Sequence, residues 1–166
     1  GYAVSEPKIY AKGSLVLWSC KDIDPKEGLK ILADPAIRRI AIPNPKNAPY
    51  GIQALRALKK AGVYEAVKPK LIFGESVSQT NQYIVSRAAD IGITAKSVVR
   101  SPKMAGRGRY TDLDPTLYKP IEQGVVLLKY AKEHHPEAAR AFYDFLFTPE
   151  AKEIFEKYGY TVSKGE

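Results

Sequence analysis

The sequence predicts an α/β fold in which helices cover a parallel sheet, and three observations carry that prediction. Residues 38–95 alternate strand, helix, strand, helix, strand, an order that lays strands parallel with helices on the faces. The strand segments are short apolar runs between turn residues. The helices open on recognisable caps. At 166 residues, 45% hydrophobic and 27% charged, the chain is sized for one domain or two small lobes and is globular in composition.

The elements follow in order. "SLVLWSC" (14–20) reads as a buried strand bounded by Gly13 and Lys21. "DPKEGLKILAD" (24–34) reads as a helix capped by Asp24, with Pro25 at its first position and Glu27 in a capping-box-like place. "RRIAIP" (38–43) is a strand ending at Pro43, which a central strand does not tolerate internally. A helix over 51–60 turns Ile52, Leu55 and Leu58 inward and stops at Gly62. "VYEAVKPK" is a short helix stopped by Pro69, and "LIFG" (71–74) is a strand. Serine caps then open a helix within 75–88 that turns Val77, Tyr83, Ile84 and Val85 inward, and "ADIGITA" (89–95) is the next strand. Residues 118–131 read as one long strand bent near Pro120 or Gly124. Helices over 135–147 and 148–160 close the chain, the second capped by Thr148, opened by Pro149 and stopped by Gly159.

Composition limits the function classes. A net charge of +8 and a pI near 9.4 suit nucleic acid, anionic lipid or small anions. The lysines and arginines are scattered, however, and dense only in the glycine-rich "RSPKMAGRGRY" (Arg100, Lys103, Arg107, Arg109), which reads as a solvated basic loop. The single cysteine, Cys20, forms no internal disulfide and reads as a small hydrophobe ending its strand. No run reaches the roughly 18 apolar residues of a membrane span. "GYAVSEPKIYAKG" lacks the basic and apolar regions of a signal peptide, which leaves a cytosolic protein or a mature or truncated exported one.

Catalytic patterns are missing. Ser76, Ser78, Ser97 and Ser101 have no G-x-S-x-G context. His134 and His135 are adjacent, without metal-ligand spacing. No GxGxxG or phosphate-binding loop motif follows a strand. The 11 tyrosines are dispersed, which favours packing over base stacking.

One join is unusual. In "AIPNPKNAPYG" three prolines, Pro43, Pro45 and Pro49, crowd the passage from strand to helix and hold the backbone in a fixed irregular path. In open parallel sheets ligands bind beyond the carboxyl ends of the strands. Three such ends, at 44–51, 74–78 and 95–97, converge on one crevice. There the N–H groups of Tyr50, Gly51, Val77 and Ser78 are candidate donors, and Glu75 is a nearby first-turn acid. Helix N-termini carry orphan donors and partial positive charge, so a small oxyanion is accommodated without a lysine.

The turns "NPKNAPYG" and "GESVSQ" and the strand "ADIGITAKS", in this order and spacing, resemble the second lobe of molybdate-binding receptors of ABC importers. "YKPIEQGVVLLKYA" followed by "AARAFYDFLFTPEAKEIFEKYGYTV" resembles that family's return crossing and C-terminal helices, so the resemblance spans nearly the whole chain. It implies a two-lobe periplasmic binding protein type II fold with the ligand clamped between lobes. The ligand would be molybdate or tungstate, with no cofactor, no catalysis and no metal held directly. Partners would be an ABC transporter permease and the oxyanion, not nucleic acid, in the periplasm or anchored outside the membrane. Main-chain donors from Tyr50 and Val77 would hold the oxyanion, with Gly51 and Ser78 beside them. A family tyrosine aligns with Ala95, where the contact is lost or replaced by backbone. The second lobe would be 22–117, and 1–21 with 118–166 would be part of a first lobe whose opening half, including two serine-bearing turns, is absent. Strands 14–20 and 118–129 would then expose edges and the apolar residues Leu15, Leu17, Val125 and Leu127, leading to self-association or reliance on the missing N-terminal segment. The alternatives are a basic nucleic-acid module, or an enzyme on the same two-lobe fold using Cys20 or a serine.

Overall fold

A computed structural model of the chain describes residues 1–162. Its strands are β1 (Lys8–Gly13), β2 (Leu15–Ser19), β3 (Ile40–Pro43), β4 (Leu71–Gly74), β5 (Ile91–Ala95), β6 (Arg109–Asp112) and β7 (Ile121–Val125). Its α-helices are α1 (Pro49–Lys60), α2 (Tyr64–Val67), α3 (Val77–Val85), α4 (Lys96–Val99), α5 (Lys129–His134), α6 (Pro136–Phe145) and α7 (Pro149–Lys157). The chain divides into two compact units, Ser14–Ile121 and a smaller one made of Gly1–Gly13 with the chain from Glu122 onward. The sequence boundaries at 21/22 and 117/118 assign residues 14–21 and 118–121 to the smaller part, whereas by contacts they belong to the larger. The last four positions of the expected 118–166 segment lie outside the described residues.

The larger unit is built on a five-stranded sheet in the order β4-β3-β5-β2-β6. β3 pairs in parallel with β4 and β5, as the strand–helix alternation requires. β2 runs antiparallel to both β5 and β6, so the sheet is mixed rather than parallel throughout. β2 lies inside it, and all five of its residues are buried. Leu15 and Leu17 join Ile40, Ile42, Ile91, Ile93 and the Ala54, Ala57 and Leu58 face of α1. Val16 and Trp18 join Ala41, Ile84, Ala89 and Val99 on the opposite face. Strands covered on both faces read as unbroken apolar runs, which is why "LVLW" shows no alternation. The expected exposure of Leu15 and Leu17 is therefore incorrect, since neighbouring strands cover both edges of β2.

Three local readings change. In α1 the buried residues are Gly51, Ala54, Ala57 and Leu58, while Ile52 is 48% exposed. Small side chains let the helix approach the sheet closely and rotate the larger Ile52 outward. Residues Pro25–Ala33 form 3-10 turns rather than an α-helix, because Gly28 leaves helical geometry at φ 65°. Asp24 nevertheless caps them, accepting from the Lys26 N–H at 3.2 Å. α3 turns Thr80, Asn81 and Ile84 inward, with Val77 and Tyr83 only half-buried. The basic stretch 100–108 is a mostly exposed run of turns, as read from the sequence, and it is anchored to the sheet. The Trp18 indole donates to the Arg107 carbonyl at 2.7 Å, and β6 begins two residues later.

In the smaller unit β1 pairs with β7, and Lys12 bridges Thr161. The expected strand over 118–131 is short, since β7 ends at Val125 and α5 begins at Lys129. Val125 and Leu127 are half-buried. The exposed apolar side chains are others, among them Tyr130, Phe142 and Ile154. Among the described residues no helix is long and apolar enough to cross a membrane.

Candidate functional site

The carboxyl ends of β3, β4 and β5 lie level at one edge of the sheet. Pro43 is opposite Gly74, and the β3–β5 register of Ala41 with Gly92 runs on toward Thr94 and Ala95. The Asn44 N–H donates to the Gly74 carbonyl at 2.7 Å and ties the first two ends together. Two helices therefore start side by side.

The first start is the proline-rich turn. Asn44 accepts from Lys46 N–H through Oδ1 at 3.0 Å and from the Asn47 and Ala48 N–H groups through its carbonyl. This local network of side chain and backbone is what Asn residues supply in turns. Pro49 opens α1 where a donor would have no intrahelical acceptor. The N-cap is Ala48, which offers no side-chain acceptor, although Ser, Thr, Asp or Asn is the stabilising choice there. Tyr50 follows, half-buried against the core. The Gly51 N–H donates to the Ala48 carbonyl at 2.9 Å, so the donor read from the sequence at Gly51 is already engaged.

The second start is capped. The Ser76 side chain accepts from the Gln79 N–H at 3.2 Å, and the Gln79 side chain accepts from the Glu75 N–H at 2.7 Å, a capping-box-like exchange. It leaves the N–H groups of Val77 and Ser78 at the helix tip with no acceptor among the described residues. Ser78 also borders an open cavity of about 470 Å³ with Asn81, Gln82, Lys103 and Met104. Beneath α3, Thr94 donates to Asn81 Oδ1 at 2.5 Å in a buried pair.

The third end differs. Ala95 is buried, pairs with Leu15, and precedes the four-residue α4. The Lys96 N–H donates to the Ser14 carbonyl at 2.9 Å. Ala95 lies level with the other two ends, and its methyl side chain has no polar atom to offer.

Glu75 is the residue the sequence undervalued. Its carboxylate accepts from Asn47 Nδ2 at 2.8 Å and from Asn44 Nδ2 at 3.4 Å, and so links the two turns. The paired asparagines of "NPKN" were the available signal.

At the opposite end of the sheet Asp90 is a structural anchor. Burial disfavours its charge, but Lys21 Nζ at 2.5 Å and the N–H groups of Arg38 and Arg39 at 2.8 and 2.9 Å overcome this and hold its pKa below the ordinary carboxylate value. Burial pushes the Cys20 thiol up despite nearby Arg87 and Arg107, which is the reverse of an activated nucleophile. His134 stacks on Tyr130 with ring centroids 4.2 Å apart. Among the described residues no three His, Cys, Asp or Glu side chains cluster to hold a metal.

The profile of the family described as bacterial extracellular solute-binding protein matches residues 1–161. The molybdate-binding protein ModA of Rhodobacter capsulatus is 44% identical over 163 residues, which is 96% of this chain and 62% of that protein. ModA of Azotobacter vinelandii is 39% identical over 152 residues, 91% of this chain and 59% of that protein. The solved structure titled as the Azotobacter vinelandii periplasmic molybdate-binding protein superposes with a TM-score of 0.87 at 29% identity, over 99% of this chain and 71% of that one. The chain thus spans about three fifths of the length of these curated relatives.

Proposed function

The chain belongs to the family of bacterial extracellular solute-binding proteins, and from that premise we propose that it takes part in capturing a tetrahedral oxyanion, molybdate or tungstate, for an ABC importer. Its fold is of the type II periplasmic binding class. Its relatives are binding proteins rather than enzymes, and their molybdate is cargo, not a cofactor.

One observation carries the reading. Two helix N-termini open side by side at the carboxyl edge of the sheet, α1 without a side-chain cap and α3 with unmatched N–H groups at Val77 and Ser78. The main chain at Tyr50 and Val77 supplies donors to the anion, with Ser78 beside them. Gly51 lets α1 sit close to the strand end, and Ala95 closes the third side by backbone. Such donors satisfy a fully ionised dianion. A protonated phosphate brings an O–H that needs an acceptor, and leaving it unmade costs about 1–3 kcal/mol.

The importer's permease is the proposed protein partner, and the periplasm or an anchored position outside the membrane is the proposed location. The exposed apolar residues of the smaller unit support contact with a further first-lobe segment or with a second copy. Calorimetry of this chain with molybdate, tungstate, sulfate and phosphate tests the reading. Binding of the first two with phosphate excluded is expected. A response only to oligonucleotide, falling steeply with salt, overturns it in favour of a basic nucleic-acid module.

A further inference from the structure

We propose that Glu75 is a positioning residue, resting on the oxyanion reading: its carboxylate clasps the turn that opens α1 to the turn that opens α3 and so sets the spacing of their donors. Each carboxylate oxygen has its own partner. Oε2 accepts from Asn47 Nδ2 at 2.8 Å, and Oε1 accepts from Asn44 Nδ2 at 3.4 Å. The residue is also held at its root, where its N–H donates to Gln79 Oε1 at 2.7 Å. Asn44 is fixed in turn by its N–H bond to the Gly74 carbonyl and by its acceptance from the Lys46 N–H. The side chain therefore joins residues 44–47 to residues 75–79 at the edge where both helices begin.

The sign of the charge makes the role specific. A carboxylate beside an anion site works against binding through Coulomb repulsion. An acidic residue here thus serves geometry, with each of its two oxygens engaged by an asparagine amide donor. Position and charge consequently make opposite forecasts for Glu75→Gln. That change keeps the size, removes the charge and turns an N–H₂ group toward one of the two asparagine donors. If the clasp sets the spacing, oxyanion affinity falls on the order of tenfold, the worth of one hydrogen bond to a charged group. If charge alone matters, affinity rises, most at low salt.

The experiment is calorimetric titration of molybdate into this chain and into Glu75→Gln, Asn47→Ala and the double variant. Thermal midpoints of the ligand-free proteins are recorded alongside. Weaker binding in both single variants, no further loss in the double and unmoved ligand-free midpoints are expected. Unchanged or tighter binding in Glu75→Gln overturns the clasp alone. Weakening accompanied by an equal drop in ligand-free stability also overturns it and reduces Glu75 to a structural residue. If the unaltered chain binds none of the four oxyanions, the oxyanion reading fails, and the positioning role fails with it.

Discussion

Gly51 packs against Pro43 so tightly that a Cβ at Gly51 would stand 2.8 Å from the Pro43 carbonyl carbon, closer still to its oxygen, and 2.9 Å from the carbonyl carbon of Asn44. The first turn of α1 thus rests on the end of β3 with no room for a side chain. Gly51→Ala is expected to cost about 1–3 kcal/mol, as overpacking does, and to weaken the oxyanion response by shifting the start of α1. Ile52→Ala, one residue on and exposed, is expected to stay within about 0.5 kcal/mol. Urea unfolding of the two variants checks the contrast, and equal effects would refute the close-packing account.

The proposed contacts at Tyr50 and Val77 are main-chain, so the side chains are expected to matter little. Tyr50→Ala should leave affinity nearly unchanged apart from lost packing. Val77→Pro removes the N–H, and the site tolerates proline. Val77 is the first residue of α3, and Ser76 before it is extended at φ −143°, ψ 167°, the region a pre-proline residue prefers. The helix should survive while binding loses about 1.5–3 kcal/mol, the worth of a hydrogen bond to a charged group. A severe Tyr50→Ala and a silent Val77→Pro in calorimetry would move the contact to the tyrosine side chain.

Asp90 gives an acid-side prediction. Its folded pKa is depressed through the Lys21 hydrogen bond and the Arg38 and Arg39 N–H groups, against burial. A depressed carboxylate stabilises the fold above its unfolded pKa of about 3.9, and that stability is lost as pH falls through the lower folded value. Asp90→Asn is expected to lower the urea midpoint at pH 6 and to flatten its fall between pH 5 and pH 2. Parallel pH profiles for the two proteins would show that the anchor is not linked to ionisation.

The legible parts of the molecule were those written locally. β3, β4, β5 and the start of α3 followed from apolar runs and from Ser76, and the capped turn before α7 followed from Thr148 and Pro149. The antiparallel placement of β2 between β5 and β6 was not local. "SLVLWSC" reads the same in any buried strand, and only its long-range partners assign it to the larger unit. The inward face of α1 was misread because periodicity weighs Ile52 and Leu55 above Gly51, Ala54 and Ala57, while close packing selects the small residues. The level strand ends were foreseeable from βαβ topology. The engagement of the Gly51 N–H depends on turn geometry that no spacing encodes, and the Glu75 clasp was signalled only by the paired asparagines Asn44 and Asn47.

The last prediction concerns association. In the smaller unit Tyr130 is 66% exposed, Phe142 63% and Ile154 45%, and α6 carries no buried residue. Exposed apolar surface of this kind recruits other chains. Leu15 and Leu17 play no part, being fully buried in the core of the larger unit. The isolated chain is therefore expected to self-associate in a concentration-dependent way by light scattering. Phe142→Glu places a charge on the exposed side of α6 without disturbing buried packing, and it should shift the distribution toward monomer while leaving the larger unit's unfolding unchanged. A monodisperse monomer at all concentrations would show that these side chains are tolerated as free surface. Self-association that persists in Phe142→Glu would place the sticky surface elsewhere, with the Tyr130 and Ile154 helices next to be altered.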